Sequence, residues 1–305
     1  MAGPVPTASA ARPLAGVLWM LATGGCFVAV TAIVKHVGSR VPPAEAAFLR
    51  YLMGLVFILP ALRGMISVRL DRGAIRLFAL RGGFHAIGVI LWFYAMTRIS
   101  IAEVTAMNYL SPVYVTIGAA LFLGERLAAR RIAAVVVALL GALVILRPGF
   151  RELSPGHFAM LGTAILFAGS YLIAKMLADR VSPAIVVGWL SVVVTIVLAP
   201  FAIAVWVWPT WEELGWLFLV AAFATAGHYT MTLAFRAAPM TVTQPVTFLQ
   251  LVWAALLGAL VFGEGVDGWV ILGGVLILSS VIFITWREAV LKRRNMTPPP
   301  EATKL

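Results

Sequence analysis

Ten apolar runs divide this chain from near one end to near the other, and no other feature constrains its fold as tightly. They fall near residues 13–34, 44–62, 75–97, 100–123, 130–146, 156–177, 184–206, 214–235, 240–262 and 267–286. A helix that crosses a bilayer needs about 20 mostly apolar residues. None of the runs alternates polar with apolar as a barrel strand would, and in lipid only helices and closed barrels satisfy their own backbone. The expected fold is therefore an all-α integral membrane protein of ten transmembrane helices. Composition agrees, with 62% hydrophobic and 11% charged residues, against roughly 45–50% and about 25% in soluble domains. A net charge of +11 invites thoughts of nucleic acid. The basic residues lie in the gaps between runs, however, and not on one accessible face. The first run continues through Val34, longer than the roughly 7–15 residues of a signal-peptide core. Cys26 is the single cysteine, so neither a disulfide framework nor a cysteine zinc site is expected.

Lysine and arginine set the orientation, because cytoplasmic loops carry the excess. If both termini are cytoplasmic, sixteen of the 23 basic residues lie on the inner side, five on the outer side, and Arg50 and Arg81 fall within spans. The expected location is an inner (plasma) membrane, crossed many times. Residues 1–12 read as a short tail. The stretch 287–305, basic and proline-bearing, reads as a disordered tail on anionic lipid.

The chain also repeats itself. An offset of 140 lays Gly16, Met20, Leu21, Thr23, Phe27, Ile33 and Lys35 on Gly156, Met160, Leu161, Thr163, Phe167, Ile173 and Lys175. Arg40, Val41, Pro43, Ala44 and Pro60 then meet Arg180, Val181, Pro183, Ala184 and Pro200. Further on the offset becomes 139, aligning Gly88 with Gly227, Ala95 with Ala234, and Gly124-Glu125 with Gly263-Glu264. Two five-helix repeats follow, 13–147 and 154–286. Each holds an odd number of spans, so the second enters the membrane inverted. Inverted repeats provide two near-equivalent packings that exchange the two sides of the membrane, which is the basis of alternating access. The expected function is secondary transport of small solutes.

The duplicated halves, the proline-bearing fourth span ending in Leu123-Gly124-Glu125-Arg126, and its echo Phe262-Gly263-Glu264 resemble the drug/metabolite transporter superfamily, EamA type. Arg50 early in the second span and Pro112 in the fourth match the family pattern. The second half departs from it, with Leu190 opposite Arg50 and Leu251 opposite Pro112. The resemblance implies a plasma-membrane carrier of small organic metabolites, amino-acid-like or amphipathic, and an exporter is the favoured reading. Uptake of a cofactor precursor or a methionine-derived metabolite is the alternative, and a membrane-embedded signalling or scaffold protein is the alternative of another class.

Ionisable and polar side chains within spans are costly and are therefore functional candidates. Arg81, His85, Gly88 and Trp92 recur on one face of the third span. His85 is poised between helix packing and pore lining, and Arg81 is expected to snorkel toward the cytoplasm. His228, with Tyr229 beside it, lies opposite His85 in the repeat. Asn108, Tyr109, Ser111 and Pro112 sit mid-span in the fourth run, and Thr247 and Gln250 in the ninth. Pro112 can kink its helix and free a carbonyl. Trp92, Tyr109, Tyr171 and Tyr229 offer apolar faces with polar tips. These residues form the expected substrate tube. For coupling or gating the candidates are Arg50, Glu103, Glu125 and Glu264, with protons as candidate driving ion and Arg50 paired to Glu103 or to a solute carboxylate. Glu45 and Glu103 read more simply as partly wet carboxylates at helix N-termini. No metal-ligand spacing, phosphate loop or nucleophile–base pair is visible, so neither an enzyme nor a cofactor is expected.

Overall fold

A computed structural model of the chain describes residues 13–68, 70–123, 129–150, 152–178, 181, 183–238 and 244–296. These fold into α1 Pro13–Val37, α2 Pro43–Gly54, α3 Leu62–Ser67, α4 Arg72–Met96, α5 Ile101–Asn108, α6 Leu110–Leu123, α7 Ala129–Leu146, α8 Pro155–Ala178, α9 Pro183–Ala204, α10 Trp211–Ala237, α11 Phe248–Phe262 and α12 Gly268–Met296. Seven of them, α1, α4, α7, α8, α9, α10 and α12, are long and apolar enough to cross a membrane alone. The side chains they turn outward are apolar: Leu14 is 72% exposed, Ile196 65% and Ile203 70%. A surface of that kind belongs against lipid.

The other three runs are broken, each for a local reason. Residues 43–67 pass from α2 through a 3₁₀ segment, Leu55–Ala61, into α3. Pro60 lies in that segment and has no N–H for the carbonyl four residues back. Residues 101–123 split at Tyr109 into α5 and α6. Pro112 explains the split, because the carbonyl it leaves without a partner is that of Asn108, the last residue of α5. Residues 244–262 begin as a 3₁₀ turn, Gln244–Thr247, before α11. At about 1.5 Å per residue, the α5–α6 pair still covers about 34 Å.

Packing between the halves is two-fold. The α1·α10 contact has its counterpart in α8·α4, α11·α1 in α6·α8, and α10·α2 in α4·α9, while α2·α9, α5·α11 and α7·α12 join equivalent spans. Every pairing is what the sequence offset requires if the halves are related by an axis between them. Close approach of α7 and α12 depends on Gly141 and Gly273. A Cβ at Gly141 would come within 2.7 Å of the Gly273 carbonyl oxygen.

One end of the bundle is pinned across the halves. Arg40 pairs with Glu213, Lys35 with Glu264 and Arg147 with Asp267. His157 Nε2 lies 3.1 Å from Glu103 Oε1. The Val207 N–H donates to Glu45 Oε2 at 2.9 Å, and the Ile101 N–H to Glu264 Oε2 at 3.0 Å. Each of these contacts joins the first half to the second.

The C-terminal stretch departs from expectation, since α12 continues to Met296. Residues 287–296 are helical because the strong helix formers Arg287-Glu288-Ala289 and Leu291-Lys292-Arg293 follow the span with no proline before Pro298. Residues 1–12 and 297–305 lie outside the described residues.

Candidate functional site

His85, on the buried face of α4, is the centre of a polar knot. Its Nε2 is 2.8 Å from the Tyr51 hydroxyl of α2, and its Nδ1 3.3 Å from Ser170 Oγ of α8. Two hydroxyls around a neutral imidazole can serve one nitrogen as donor and the other as acceptor. The imidazole stacks on Phe167, with centroids 4.8 Å apart. Gly88, one turn further along α4, makes room for that ring, since a Cβ there would sit 2.8 Å from it. Trp92 meets the same phenyl edge-on at 6.3 Å, and Tyr171 lies tilted to it at 6.0 Å. The expected face of the third span is thus real, and its partner is Phe167, the repeat equivalent of Phe27. Phe27 in turn takes His228 edge-on at 5.2 Å. The two histidines are each set against a phenylalanine from the first span of the opposite half.

Two arginines share this centre. Arg50 and Arg81 are 7% and 6% exposed, and both act electrostatically on His85 and on His228. Arg50 lies over the Tyr51 ring at 4.1 Å. Arg81 donates to the Val186 carbonyl of α9 at 2.8 Å, while its Nε has no partner. Arg81, expected to snorkel toward the cytoplasm, is buried, and its guanidinium reaches a carbonyl in the first turn of a neighbouring helix, α9. Tyr171 is 41% exposed and packs on the buried Phe167.

The two broken spans meet. Tyr109, at the α5–α6 break, donates its hydroxyl to the Thr247 carbonyl at 2.7 Å, at the junction of the 3₁₀ turn and α11. An offset of 139 carries Tyr109 to Phe248, so the breaks occupy equivalent positions in the two halves. Beside them Asn108 Oδ1 and Ser111 Oγ are buried without a partner, as is Trp92 Nε1 on α4. Gln250 packs against α1 at Gly24, where a Cβ would be 3.4 Å from its own.

Other expected residues go elsewhere. Tyr229 is 66% exposed and lies three turns beyond Phe218 on the open face of α10, apart from the knot. Its neighbour His228 turns inward because one residue of helix rotates the side chain by about 100°. Glu45 and Glu103 do stand in first turns, but they are buried, at 0% and 6% exposure. Glu103 caps α5 with Ser100 and takes His157, whereas the expectation was a pairing of Arg50 with Glu103 or with a solute carboxylate. Donors from the opposite half replace the water that the sequence suggested. Glu264 belongs to the pinned end, and Glu125 lies outside the described residues. Sequence reasoning passed over Tyr51, Ser170 and Phe167. Only the adjacency of Tyr51 to Arg50 could have flagged the first, because contacts between helices set the other two.

Comparison with known proteins places this geometry. The EamA-like transporter family matches residues 14–147 and 154–286. A riboflavin transporter of Rhizobium johnstonii is 32% identical over 289 residues, 93% of this chain and 95% of that one. The pseudopaline exporter CntI of Pseudomonas aeruginosa is 30% identical over 273 residues, covering 88% and 95%. An S-adenosylmethionine uptake transporter of Rickettsia felis is 26% identical over 277 residues, covering 90% and 94%. A solved crystal structure at 20% identity superposes with a TM-score of 0.60 over 92% of this chain and 99% of its own, and so shares the fold.

Proposed function

Because the chain belongs to the EamA-like transporter family of the drug/metabolite transporter superfamily, and is a multi-pass membrane transporter of small metabolites, we propose that it moves its solute by alternating access between the halves 13–147 and 154–286. The observation that carries this reading is the two-fold packing, in which the most extensive contacts between the halves come in equivalent pairs or join equivalent spans. Exchanging the two arrangements moves the opening from one side to the other at little net cost. Both termini lie in the cytoplasm of a bacterial inner membrane, a placement supported by the basic residues of the intervening loops. The pinned end then faces outward, and this conformer is closed to the outside. The solute sits among His85, Trp92, Tyr171 and His228, with Asn108, Tyr109, Ser111 and Gln250 on the broken spans beside it. Export is the favoured direction, with protons as the driving ion. The S-adenosylmethionine uptake relative supports uptake as the second reading.

Proteoliposome counterflow with labelled riboflavin and amino acids tests the proposal. Saturable exchange that falls at least tenfold in His85→Ala and His228→Ala is expected. A scaffold protein would give no exchange, and substitutions at His85, Asn108, His228 and Gln250 would leave its behaviour unchanged.

A further inference from the structure

Two cations at the centre of a membrane protein need a compensating charge, and the described residues do not provide one. The described acidic residues sit at the ends of the bundle. Glu45, Glu103, Glu213, Glu264 and Asp267 are engaged in contacts at the pinned end, and Asp71 caps α4. Arg50 stands about 10 Å along α2 from its start at the pinned end, and Arg81 about 13 Å along α4 from the opposite end. Their backbones therefore stand near the middle of the bilayer, one from each side, with one nitrogen of Arg81 turned to the first turn of α9. Arg81 uses one of its five N–H donors on Val186, and its buried Nε faces no acceptor. Next to these donors the walls are flat and apolar: Tyr51 beneath Arg50, then Phe167 with Trp92 and Tyr171 around it. Buried Nε1 of Trp92 supplies a further unused donor. On α4 the buried groups without a partner, Arg81 Nε and Trp92 Nε1, are both donors, and the one such acceptor on α2, Glu45 Oε1, lies at the pinned end.

Resting on the carrier reading above, we infer that the solute is an organic anion with a planar apolar body, its carboxylate or phosphate held between Arg50 and Arg81 and its ring laid against Phe167 and Tyr171. Guanidinium forks suit both oxyanions, and the bidentate geometry rewards either. A cationic solute would enter against two uncompensated positive charges in a region of low dielectric, where repulsion is strongest.

The test is binding to the full-length, detergent-purified protein, by isothermal titration, of a matched series: phenylacetate, phenyl phosphate, 2-phenylethanol and 2-phenylethylamine. The expected result is that one or both anions bind at least tenfold more tightly than the alcohol, and that the amine binds most weakly. Which anion wins tells carboxylate from phosphate. In Arg81→Gln that preference should collapse to less than threefold, and Arg81→Lys should restore part of it. Size-exclusion profile and thermal midpoint verify that each variant is folded. Equal binding of alcohol and anion, or preference for the amine, overturns the inference and leaves the carrier standing. Absence of exchange for every solute in the proteoliposome assay overturns the carrier reading instead.

Discussion

At the scale of residues, the centre is held by small numbers of atoms whose removal has a calculable effect. Tyr51→Phe deletes the hydroxyl that meets His85 Nε2 at 2.8 Å, leaving a buried ring nitrogen without its partner at a cost of about 1–3 kcal/mol. The thermal midpoint in detergent should drop by several degrees, and an unchanged midpoint would mean that the bond contributes nothing. Gly88→Ala is a second local test. The new methyl would meet the Phe167 ring at 2.8 Å, and that ring is wedged between His85, Trp92 and Tyr171 and cannot withdraw. Overpacking of this kind costs about 1–3 kcal/mol, so the folded yield and midpoint should both fall. That Arg81, His85, Gly88 and Trp92 share one face of α4 was legible from spacing alone, because helical periodicity is local. The hydroxyl partners of His85 were not, because Tyr51 and Ser170 lie 34 and 85 residues away.

At the scale of elements, the breaks distinguish this molecule from a plain helical bundle. Pro112 separates α5 from α6, and the Tyr109 hydroxyl ties that break to its counterpart at Thr247. Pro112→Ala returns the missing N–H to the Asn108 carbonyl and favours one continuous helix. It is expected to raise the thermal midpoint, since a proline in a helix interior costs about 3 kcal/mol, while slowing solute exchange at least tenfold. Midpoint and counterflow rate measured on the same preparation check it, and unchanged exchange would show that the break is not part of the working cycle. The proline itself was visible in the sequence. The second break was not, because Leu251 stands opposite Pro112 and no proline marks the site directly; Pro245, six residues earlier, was the available hint.

At the scale of the whole molecule, the pinned end carries the conformation. Three ion pairs, a histidine–carboxylate bond and two backbone donors hold the halves together there. Lys35→Gln removes the cation that Glu264 shares between halves. With Cys26 replaced by alanine and a cysteine introduced at Ala46, which is 5% exposed beneath this end, labelling by a membrane-impermeant maleimide from outside should be slow in the parent and several-fold faster in the Lys35→Gln variant. Equal rates would remove Lys35 from any gating role. The sequence marked Lys35 only as one half of a repeat match with Lys175, and it marked Glu264 only as an echo of Glu125. Their meeting each other could not be read, since it depends on how the halves dock.

What the sequence determined by itself was whatever is local or periodic: the apolar runs, their all-helical nature in lipid, the duplication, and the family that those features resemble. Backbone hydrogen bonding in hydrocarbon leaves few alternatives, so composition and spacing suffice at that level. Tertiary structure decided which polar groups face each other. His85 with Tyr51 and Ser170, Arg81 with Val186, Glu103 with His157, and Tyr109 with Thr247 are pairings between helices far apart in the chain. Side chains within a span are spaced by the helix itself, but contacts between spans are set by the rotation and depth at which helices pack, and a single sequence does not encode those legibly.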